Sequence, residues 1–215
     1  MVAEHFEHVD TWVFDLDNTL YHPSADLFGL MDPKFSAYVM RVTGLDAERA
    51  AERAITYWET HGSTLAGLMI EHNVDPHHFL AEVHDINIDH LTPDPDLAEA
   101  IGRLPGRKIV YTNGSQFHAK RVLAARGLAH SFDAVFAIED AELTPKPHAQ
   151  GFATVFARAN VTPSTGAMFE DEERNLKVPH DLGMRTVHVH DTPLDAPHIH
   201  HGTTALTEFL SQVVR

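Results

Sequence analysis

Two aspartates, Asp15 and Asp17, follow a short apolar run that ends at Phe14. In an extended segment, residues two apart project to the same side, so both carboxylates can face one ligand. Carboxylates placed in this way suit a metal ion, or a nucleophile with an acid–base partner. The same pair is equally compatible with an ordinary turn after a strand. Taken alone, it leaves both interpretations open.

Three further polar clusters follow later apolar runs. The segment 112–115, Thr-Asn-Gly-Ser, offers a hydroxyl and several backbone amides just before a predicted helix, which favours an anion such as phosphate. Lys146 lies between two prolines that fix the backbone, so its ammonium is a positioned charge able to neutralise a phosphate. Glu170 and Asp171 add oxygen ligands of the kind that magnesium prefers. Singly, Lys146 and this acidic pair are also compatible with ordinary surface residues.

The apolar runs that precede these clusters predict five short strands: Trp12–Phe14, Lys108–Tyr111, Ala134–Ile138, Ala167–Phe169 and Thr186–Val189. Helical patterns alternate with the strands from about residue 107 onward. This alternation predicts an α/β fold, a Rossmann-like parallel sheet core with helices on both faces. Ligands bind outside the carboxyl ends of such strands, so we expect the polar clusters to meet in one site.

The segment 21–93 breaks this alternation, because it has helical periodicity without a convincing strand. We therefore predict an inserted helical cap domain at 21–93 and a core domain formed by 1–20 and 94–215. Four helices fit the cap, near 33–43, 46–59, 63–73 and 76–85. Three Asp-Pro pairs each place a capping carboxylate before a proline suited to a first helical turn: Asp32-Pro33, Asp75-Pro76 and Asp94-Pro95.

The composition narrows the class of protein. A chain of 215 residues, 43% hydrophobic and 22% charged, can bury one core domain plus an insertion. A formal net charge of −15 argues against nucleic acid and anionic membrane surfaces as partners. The lack of cysteine excludes disulfides, thiolate metal sites and cysteine nucleophiles. Because neither a signal sequence nor a membrane-spanning run is evident, we expect a cytoplasmic protein.

Histidines are concentrated near the end of the chain, and alternating histidines on a strand can bind a transition metal. They lack a clear tetrahedral set of ligands, so we favour an ordinary structural role. The residues concerned are His188, His190, His198, His200 and His201.

The ordered series of an Asp-x-Asp pair, a threonine, a lysine and an acidic pair resembles the haloacid dehalogenase superfamily of phosphatases. Its four motifs correspond here to 14–21, 111–115, Lys146 and 168–171. A helical cap between the first two motifs also belongs to this pattern. The first motif, the cap segment 62–68 and Phe-Glu-Asp at 169–171 are similar to the pyrimidine 5′-nucleotidase branch. The sequence departs from the pattern at Asn18, where many members have glycine, and in its acidic segment after Asp171.

The resemblance implies a role for each acidic residue. Asp15 would be the nucleophile, and Asp17 would protonate the leaving oxygen and later activate water. Magnesium would be held by Asp15, the backbone carbonyl of Asp17 and Asp171, with Glu170 acting through water.

The remaining site residues would bind the substrate. Those implied for the phosphate oxygens are Thr112, the amides of Asn113 and Gly114, and Lys146. The cap would choose the leaving group, with Ser63 and Thr64 as candidate contacts. These cap residues are equally compatible with a place in the helical core.

The function that this resemblance implies is magnesium-dependent phosphomonoester hydrolysis by a pyrimidine 5′-nucleotidase, which releases phosphate from UMP- or CMP-like nucleotides through an aspartyl-phosphate. The expected partner is a small nucleoside monophosphate, and the expected assembly is a monomer or homodimer. A phosphatase or phosphomutase acting on a sugar phosphate or phosphoglycolate shares the core motifs. An inactive phosphate- or metal-binding scaffold is the alternative outside enzymes. A dehalogenase would need neither Asp17 nor a metal.

Overall fold

The computed structural model describes residues 1–214, and in that part of the chain six strands form one parallel sheet. Their order across the sheet is β3-β2-β1-β4-β5-β6, and each strand is parallel to its neighbours. The predicted α/β fold with a parallel sheet is confirmed. The strands are β1 (Thr11–Phe14), β2 (Arg107–Tyr111), β3 (Ala134–Phe136), β4 (Gly166–Glu170), β5 (Arg185–Val189) and β6 (His201–Thr203).

The α-helices occupy both the segment between β1 and β2 and the connections between later strands. They are α1 (Leu27–Thr43), α2 (Ala47–His61), α3 (Thr64–His72), α4 (Pro76–Val83), α5 (Pro95–Arg103), α6 (Gln116–Ala125), α7 (Ala149–Ala159), α8 (Lys177–Asp181) and α9 (Leu206–Val213).

The sheet is covered on both faces because its central strands are apolar on both sides. On β1, Trp12 and Phe14 belong to a cluster with residues of α5, α6 and α9. Val13 points to the other face and belongs to a cluster with Phe152 and Phe156 of α7. Consecutive residues of a strand face opposite sides, so a continuous apolar run requires a layer of helices on each. This arrangement confirms the predicted helices on both faces.

Helices α1 to α4 lie between β1 and β2 in the chain and have an apolar cluster of their own. Tyr38, Tyr57, Leu68 and Phe79, one from each helix, all belong to it. Helices α2, α3 and α4 each begin after a residue type that favours capping. The side chains of Asp46, Ser63 and Asp75 each accept a hydrogen bond from a backbone amide of the first turn. We propose that these helices form the cap domain with the boundaries 21–93.

Helix α1 corrects one prediction. Asp32-Pro33 does not begin a helix, because α1 begins at Leu27 and contains Pro33 in its interior. An interior proline removes a helical hydrogen bond, but Leu27 and Met31 are buried in the core cluster just before it, and that burial offsets the loss. At the other two pairs the prediction is confirmed, since Asp75 caps the amide of His77 and Asp94 that of Leu97.

Strand β6 was not predicted, and β3 is shorter than predicted. The segment His201–Thr203 lacks apolar alternation and becomes an edge strand because its backbone pairs with β5, with His201 opposite Val187. The third strand ends at Phe136 instead of continuing to Ile138, because the amide of Ala137 donates to the carboxylate of Asp140. Hydrophobic periodicity indicates neither the pairing of β6 with β5 nor the hydrogen bond between Ala137 and Asp140.

Within residues 1–214, no helix combines the length and the apolar character that crossing a bilayer requires.

Gly106, just before β2, provides a test of this packing. Its φ is +74°, and a Cβ there would clash with the carbonyl oxygen of Asp10, which is backbone and cannot move aside. We expect Gly106→Ala to lower the free energy of unfolding by at least about 1–3 kcal/mol, because it combines a left-handed backbone with a clash. The measurement is chemical denaturation followed by circular dichroism.

Gly102 is the matched control, because it lies in α5 with open space around its Cβ position. Gly102→Ala should leave stability unchanged or raise it by up to about 1 kcal/mol. Equal effects of the two substitutions would contradict the proposed close approach at Gly106.

Candidate active site

The register of the sheet brings the polar clusters to one place. Phe14 pairs with Val110 of β2 on one side and with Phe169 of β4 on the other, so the chain segments after these strands leave the sheet side by side. One cavity lies at this edge. The residues lining it include every predicted site residue: Asp15, Asp17, Ser63, Thr64, Thr112, Asn113, Gly114, Lys146, Glu170 and Asp171.

Lys146 is the charged centre of the site, with only 1% of its surface exposed. Its Nζ donates to Asp15 Oδ1 at 2.6 Å, to Glu170 Oε2 at 2.6 Å and to the carbonyl oxygen of Tyr111 at 3.1 Å. Burial alone would lower the pKa of Lys146, but the two carboxylates outweigh it and raise the pKa. The ammonium therefore stays charged inside the protein.

Asn113 holds this lysine by its backbone. The side-chain Nδ2 of Asn113 donates to the carbonyl oxygen of Lys146 at 3.1 Å, and Oδ1 accepts from the Lys146 amide at 2.8 Å. The Gly114 amide donates to Thr112 Oγ1 at 2.9 Å. Sequence reasoning considered only the backbone amide of Asn113, since nothing in the sequence links it to a loop 33 residues away.

Asp15, Glu170 and Asp171 form a group that could hold a metal ion, because each offers an oxygen and these oxygens lie within 4.8 Å of one another. Hard carboxylate oxygens at this spacing fit magnesium. The carboxylate of Asp17 is not in the group, and the predicted contribution of its backbone carbonyl oxygen stays a prediction.

The crowding of these acids changes their titration. Burial, with the charge of Glu170 as a second cause, raises the pKa of Asp15 to about 8, and Lys146 only partly opposes this. Burial and the charges of Glu170 and Asp15 also raise the pKa of Asp171 well above its ordinary value. A divalent cation would lower both, because a nearby positive charge favours the carboxylate.

Asp17 has different surroundings from Asp15. Burial would raise its pKa, but Asp17 Oδ1 accepts from His118 Nε2 at 2.8 Å and from the Tyr21 hydroxyl at 2.8 Å, and the net effect lowers the pKa. Sequence reasoning missed His118, which lies 101 residues from Asp17 in the chain. Tyr21 is the last residue of the first motif, 14–21, but the sequence indicated no role for it. The only signal was a histidine in the first turn of the helix after the second motif.

The helical segment closes the cavity from the opposite side. Ser63 Oγ accepts from the amide of Ala66 and so caps α3, while Thr64 Oγ1 donates to the carbonyl oxygen of Ala54. Both hydroxyls thus have partners within the helices. Arg174, after β4, reaches across and donates to the carbonyl oxygen of Trp58, with its guanidinium 3.7 Å from the centre of the Trp58 ring.

The C-terminal histidines have separate partners. His188 Nε2 lies 2.8 Å from the carbonyl oxygen of Asp171, His198 Nε2 lies 2.7 Å from Glu173, and His200 Nδ1 lies 2.7 Å from the hydroxyl of Thr186. His188 therefore contacts the backbone of a predicted metal ligand, a contact that the sequence did not indicate.

A sequence model of the haloacid dehalogenase-like hydrolases matches residues 9–183. The chain belongs to this family. The match contains the predicted motifs from Asp15 to Asp171 and most of the parallel sheet. Membership of this family makes the protein a hydrolytic enzyme.

Two relatives of this chain are named for different processes. Phosphate metabolism protein 8 of Saccharomyces cerevisiae is 27% identical over 189 residues, which are 80% of this chain and 58% of the relative. The (S)-2-haloacid dehalogenase of Xanthobacter autotrophicus is 32% identical over 114 residues, 52% of this chain and 44% of that enzyme. The hydrolase therefore matches less than two thirds of the length of each.

The fold has a close solved counterpart. The crystal structure of a phosphatase of the same family from Thermococcus onnurineus superposes with a TM-score of 0.63 at 18% identity, covering 95% of this hydrolase and 98% of that chain. At this identity the likeness supports the fold only.

The raised pKa of Asp15 predicts how metal and pH act together. The pKa is about 8 in the folded protein against an ordinary 3.8, so the folded hydrolase holds a proton that the unfolded chain loses. Without metal, the free energy of unfolding contributed by this group is therefore greatest below the ordinary pKa and falls as pH rises toward 8. A cation replaces the proton, so magnesium should raise the melting temperature more near pH 8 than near about pH 5.

Calorimetry with and without magnesium at the two pH values measures this difference. Asp15→Asn removes one of the two carboxyls with a raised pKa and should reduce the pH dependence of the magnesium effect, while Asp171 retains the rest. Asp195→Asn, at an exposed position, should leave it unchanged. A magnesium effect that is equal at both pH values would contradict the prediction.

Proposed function

We propose that this hydrolase is a magnesium-dependent phosphomonoesterase, a pyrimidine 5′-nucleotidase that releases phosphate from UMP- or CMP-like nucleotides through an aspartyl-phosphate. The observation that carries the proposal is the second carboxylate, Asp17, which lines the same cavity as Asp15 and is held there by two hydrogen bonds. A dehalogenase that uses an aspartate nucleophile has no need of such a group.

The proposed reaction has two displacements. In the first, a carboxylate oxygen of Asp15 bonds to phosphorus and the bond from phosphorus to the nucleoside oxygen breaks, while Asp17 gives that oxygen a proton. In the second, Asp17 takes a proton from water as the water oxygen bonds to phosphorus. The bond from phosphorus to Asp15 then breaks, which releases phosphate and restores both aspartates.

The charge balance of the cavity supports this chemistry. A phosphate dianion must enter a site that already contains four acidic side chains, and Lys146 is the cation buried among them. Thr112 and Gly114 lie beside it on the loop after β2, where backbone amides and a hydroxyl can donate hydrogen bonds to the phosphate oxygens. Magnesium, held by Asp15, Glu170 and Asp171, would supply further positive charge to the phosphoryl group.

Apolar side chains line the part of the cavity that the helical segment contributes, and this supports a flat leaving group such as a base. Phe28, Phe35, Trp58 and Phe79 all border it. Aromatic faces stack on aromatic rings and gain energy beyond simple burial. A small sugar phosphate would make no stacking contact with Phe28, which is the most exposed of these rings, because Arg174 already covers Trp58 and Phe35 stacks on Phe79.

Phosphate release from a substrate panel, with and without magnesium, tests the proposal. The panel contains UMP, CMP, dUMP, TMP, AMP, GMP, glucose phosphates and phosphoglycolate, with chloride release from 2-chloropropionate measured in parallel. We expect magnesium-dependent release, fastest from pyrimidine monophosphates. A preference for sugar phosphates would reject the nucleotidase assignment, and chloride release without phosphate release would reject the phosphatase.

Substitution of the two aspartates tests the mechanism. Asp15→Asn should lower kcat for phosphate release by at least about 1000-fold, since it removes the nucleophile. Asp17→Asn should lower it by about 100-fold or more, which is the usual size of acid–base catalysis. Asp195→Asn serves as the exposed control. Activity near the parent level in Asp15→Asn would contradict the nucleophile assignment.

Phe28→Ala tests the stacking surface, because this side chain is 41% exposed and lines the cavity. Loss of one aromatic contact worth about 0.5–1.5 kcal/mol should raise KM for UMP about 2- to 12-fold, with kcat nearly unchanged. Ile70→Ala, at a 70% exposed position outside the cavity lining, is the control. An unchanged KM would show that the base does not contact Phe28.

A further inference from the structure

We propose that His118 is the positioning residue for Asp17. It fixes one carboxylate oxygen so that the other faces the leaving group, and His84 holds the His118 ring in place. The proposal rests on the proposed phosphatase function, because it concerns the proton that Asp17 transfers.

Two donors converge on a single oxygen of Asp17. His118 Nε2 and the Tyr21 hydroxyl each lie 2.8 Å from Oδ1. A carboxylate only accepts hydrogen bonds, so Nε2 carries the hydrogen and the imidazole is the donor. Rotation of the carboxylate would break both bonds, which fixes the plane of the group.

The other oxygen of Asp17 faces the phosphate loop. A Cβ placed on Gly114 would lie 3.5 Å from Asp17 Oδ2 and 3.2 Å from Thr112 Oγ1. The free oxygen is therefore close to the loop that we propose binds the phosphoryl group. Because Oδ1 is occupied by its two donors, Oδ2 is the atom left to exchange a proton with the substrate.

His84 supports His118 from the helical segment. The two rings are stacked, with centres 4.5 Å apart and planes inclined by 18°. Ser115 ties them together, since its hydroxyl lies 3.0 Å from His84 Nδ1 and accepts from the backbone amide of His118 at 3.1 Å. Arg121 anchors the same segment by donating to the carbonyl oxygens of His84 and Ile86.

Both rings of the pair are buried. His118 has no exposed surface and His84 only 5%. Burial and the neighbouring His118 lower the pKa of His84 to about 3, so His84 is a neutral ring near pH 7. His118 Nδ1 has no hydrogen-bond partner among residues 1–214, so the ring makes its hydrogen bond to Asp17 through Nε2.

Two substitutions at His118 separate the hydrogen bond from packing. In His118→Gln the side-chain nitrogen takes the position of Nε2 and retains the donor. In His118→Asn the side chain is polar but too short, so its amide reaches only the level of Nδ1 and the donor to Asp17 is lost. His130→Asn, at an exposed histidine, is the matched control.

The readout is the dependence on the leaving group. Nitrophenolate leaves without a proton, whereas the alkoxide of UMP, or of the best alkyl phosphate in the panel, needs one from Asp17. We expect His118→Asn to lower kcat/KM for the alkyl phosphate by about 100-fold or more but for p-nitrophenyl phosphate by less than about 10-fold. KM should change little, and His118→Gln should recover most of the loss.

The second displacement gives an independent signature. With Asp17 misplaced, water is activated poorly and the aspartyl-phosphate accumulates. His118→Asn should therefore release p-nitrophenol in a rapid burst followed by a slow steady rate. Equal losses for both substrates without a burst, or full activity in His118→Asn, would overturn the proposal.

A measurement without substrate keeps the two proposals distinguishable. Nitrogen-15 NMR of the imidazoles, with His118 assigned by its absence in His118→Gln, should find the hydrogen on Nε2 and a shift of that signal in Asp17→Asn. An Nε2 without a hydrogen would overturn the positioning role even in an active enzyme. A wild type that releases phosphate from no substrate would overturn the proposed function, while the NMR result would still decide the contact with Asp17.

Discussion

The buried ion pairs of Lys146 with Asp15 and Glu170 are the interaction on which the site depends. Four acidic side chains meet at the carboxyl ends of β1 and β4, and without a compensating cation their burial would be strongly unfavourable. Lys146 supplies that charge from a different loop, and Asn113 fixes the loop by two hydrogen bonds to the Lys146 backbone. Hydrogen bonds therefore join the second motif to Lys146, and ion pairs join Lys146 to the first and fourth motifs.

The same cavity gives two neighbouring aspartates opposite properties. Asp15 lies among other carboxylates, which with burial raise its pKa, whereas Asp17 is surrounded by donors that lower it. The raised pKa of Asp15 suits a nucleophile only when a cation beside it lowers that pKa, whereas the lowered pKa of Asp17 suits the base of the second displacement. Tyr21 comes from the first motif, His118 from α6 and His84 from the end of α4, so three parts of the chain determine the properties of Asp17.

Proteins similar to this chain include a relative named as a dehalogenase and a solved structure of the same fold described as a phosphatase. A shared fold therefore does not decide the reaction, which depends on side chains placed on it. Here the deciding features are local, namely the second carboxylate, the oxygen cluster of Asp15, Glu170 and Asp171, and the apolar wall contributed by the helical segment.

The sequence by itself determined the parallel sheet, the inserted helices and ten of the residues that line the cavity, because buried strands are continuously apolar and Asp15, Thr112 and Glu170 each stand at or directly after the end of one. It did not determine the start of α1, where burial of Leu27 and Met31 outweighs the cost of Pro33, or the edge strand β6, which exists only through pairing with β5. Only the tertiary structure decided that His118 contacts Asp17 and that Asn113 holds Lys146. Such contacts join residues far apart in the chain, and local patterns carry no information about which distant side chains the fold brings within hydrogen-bonding distance.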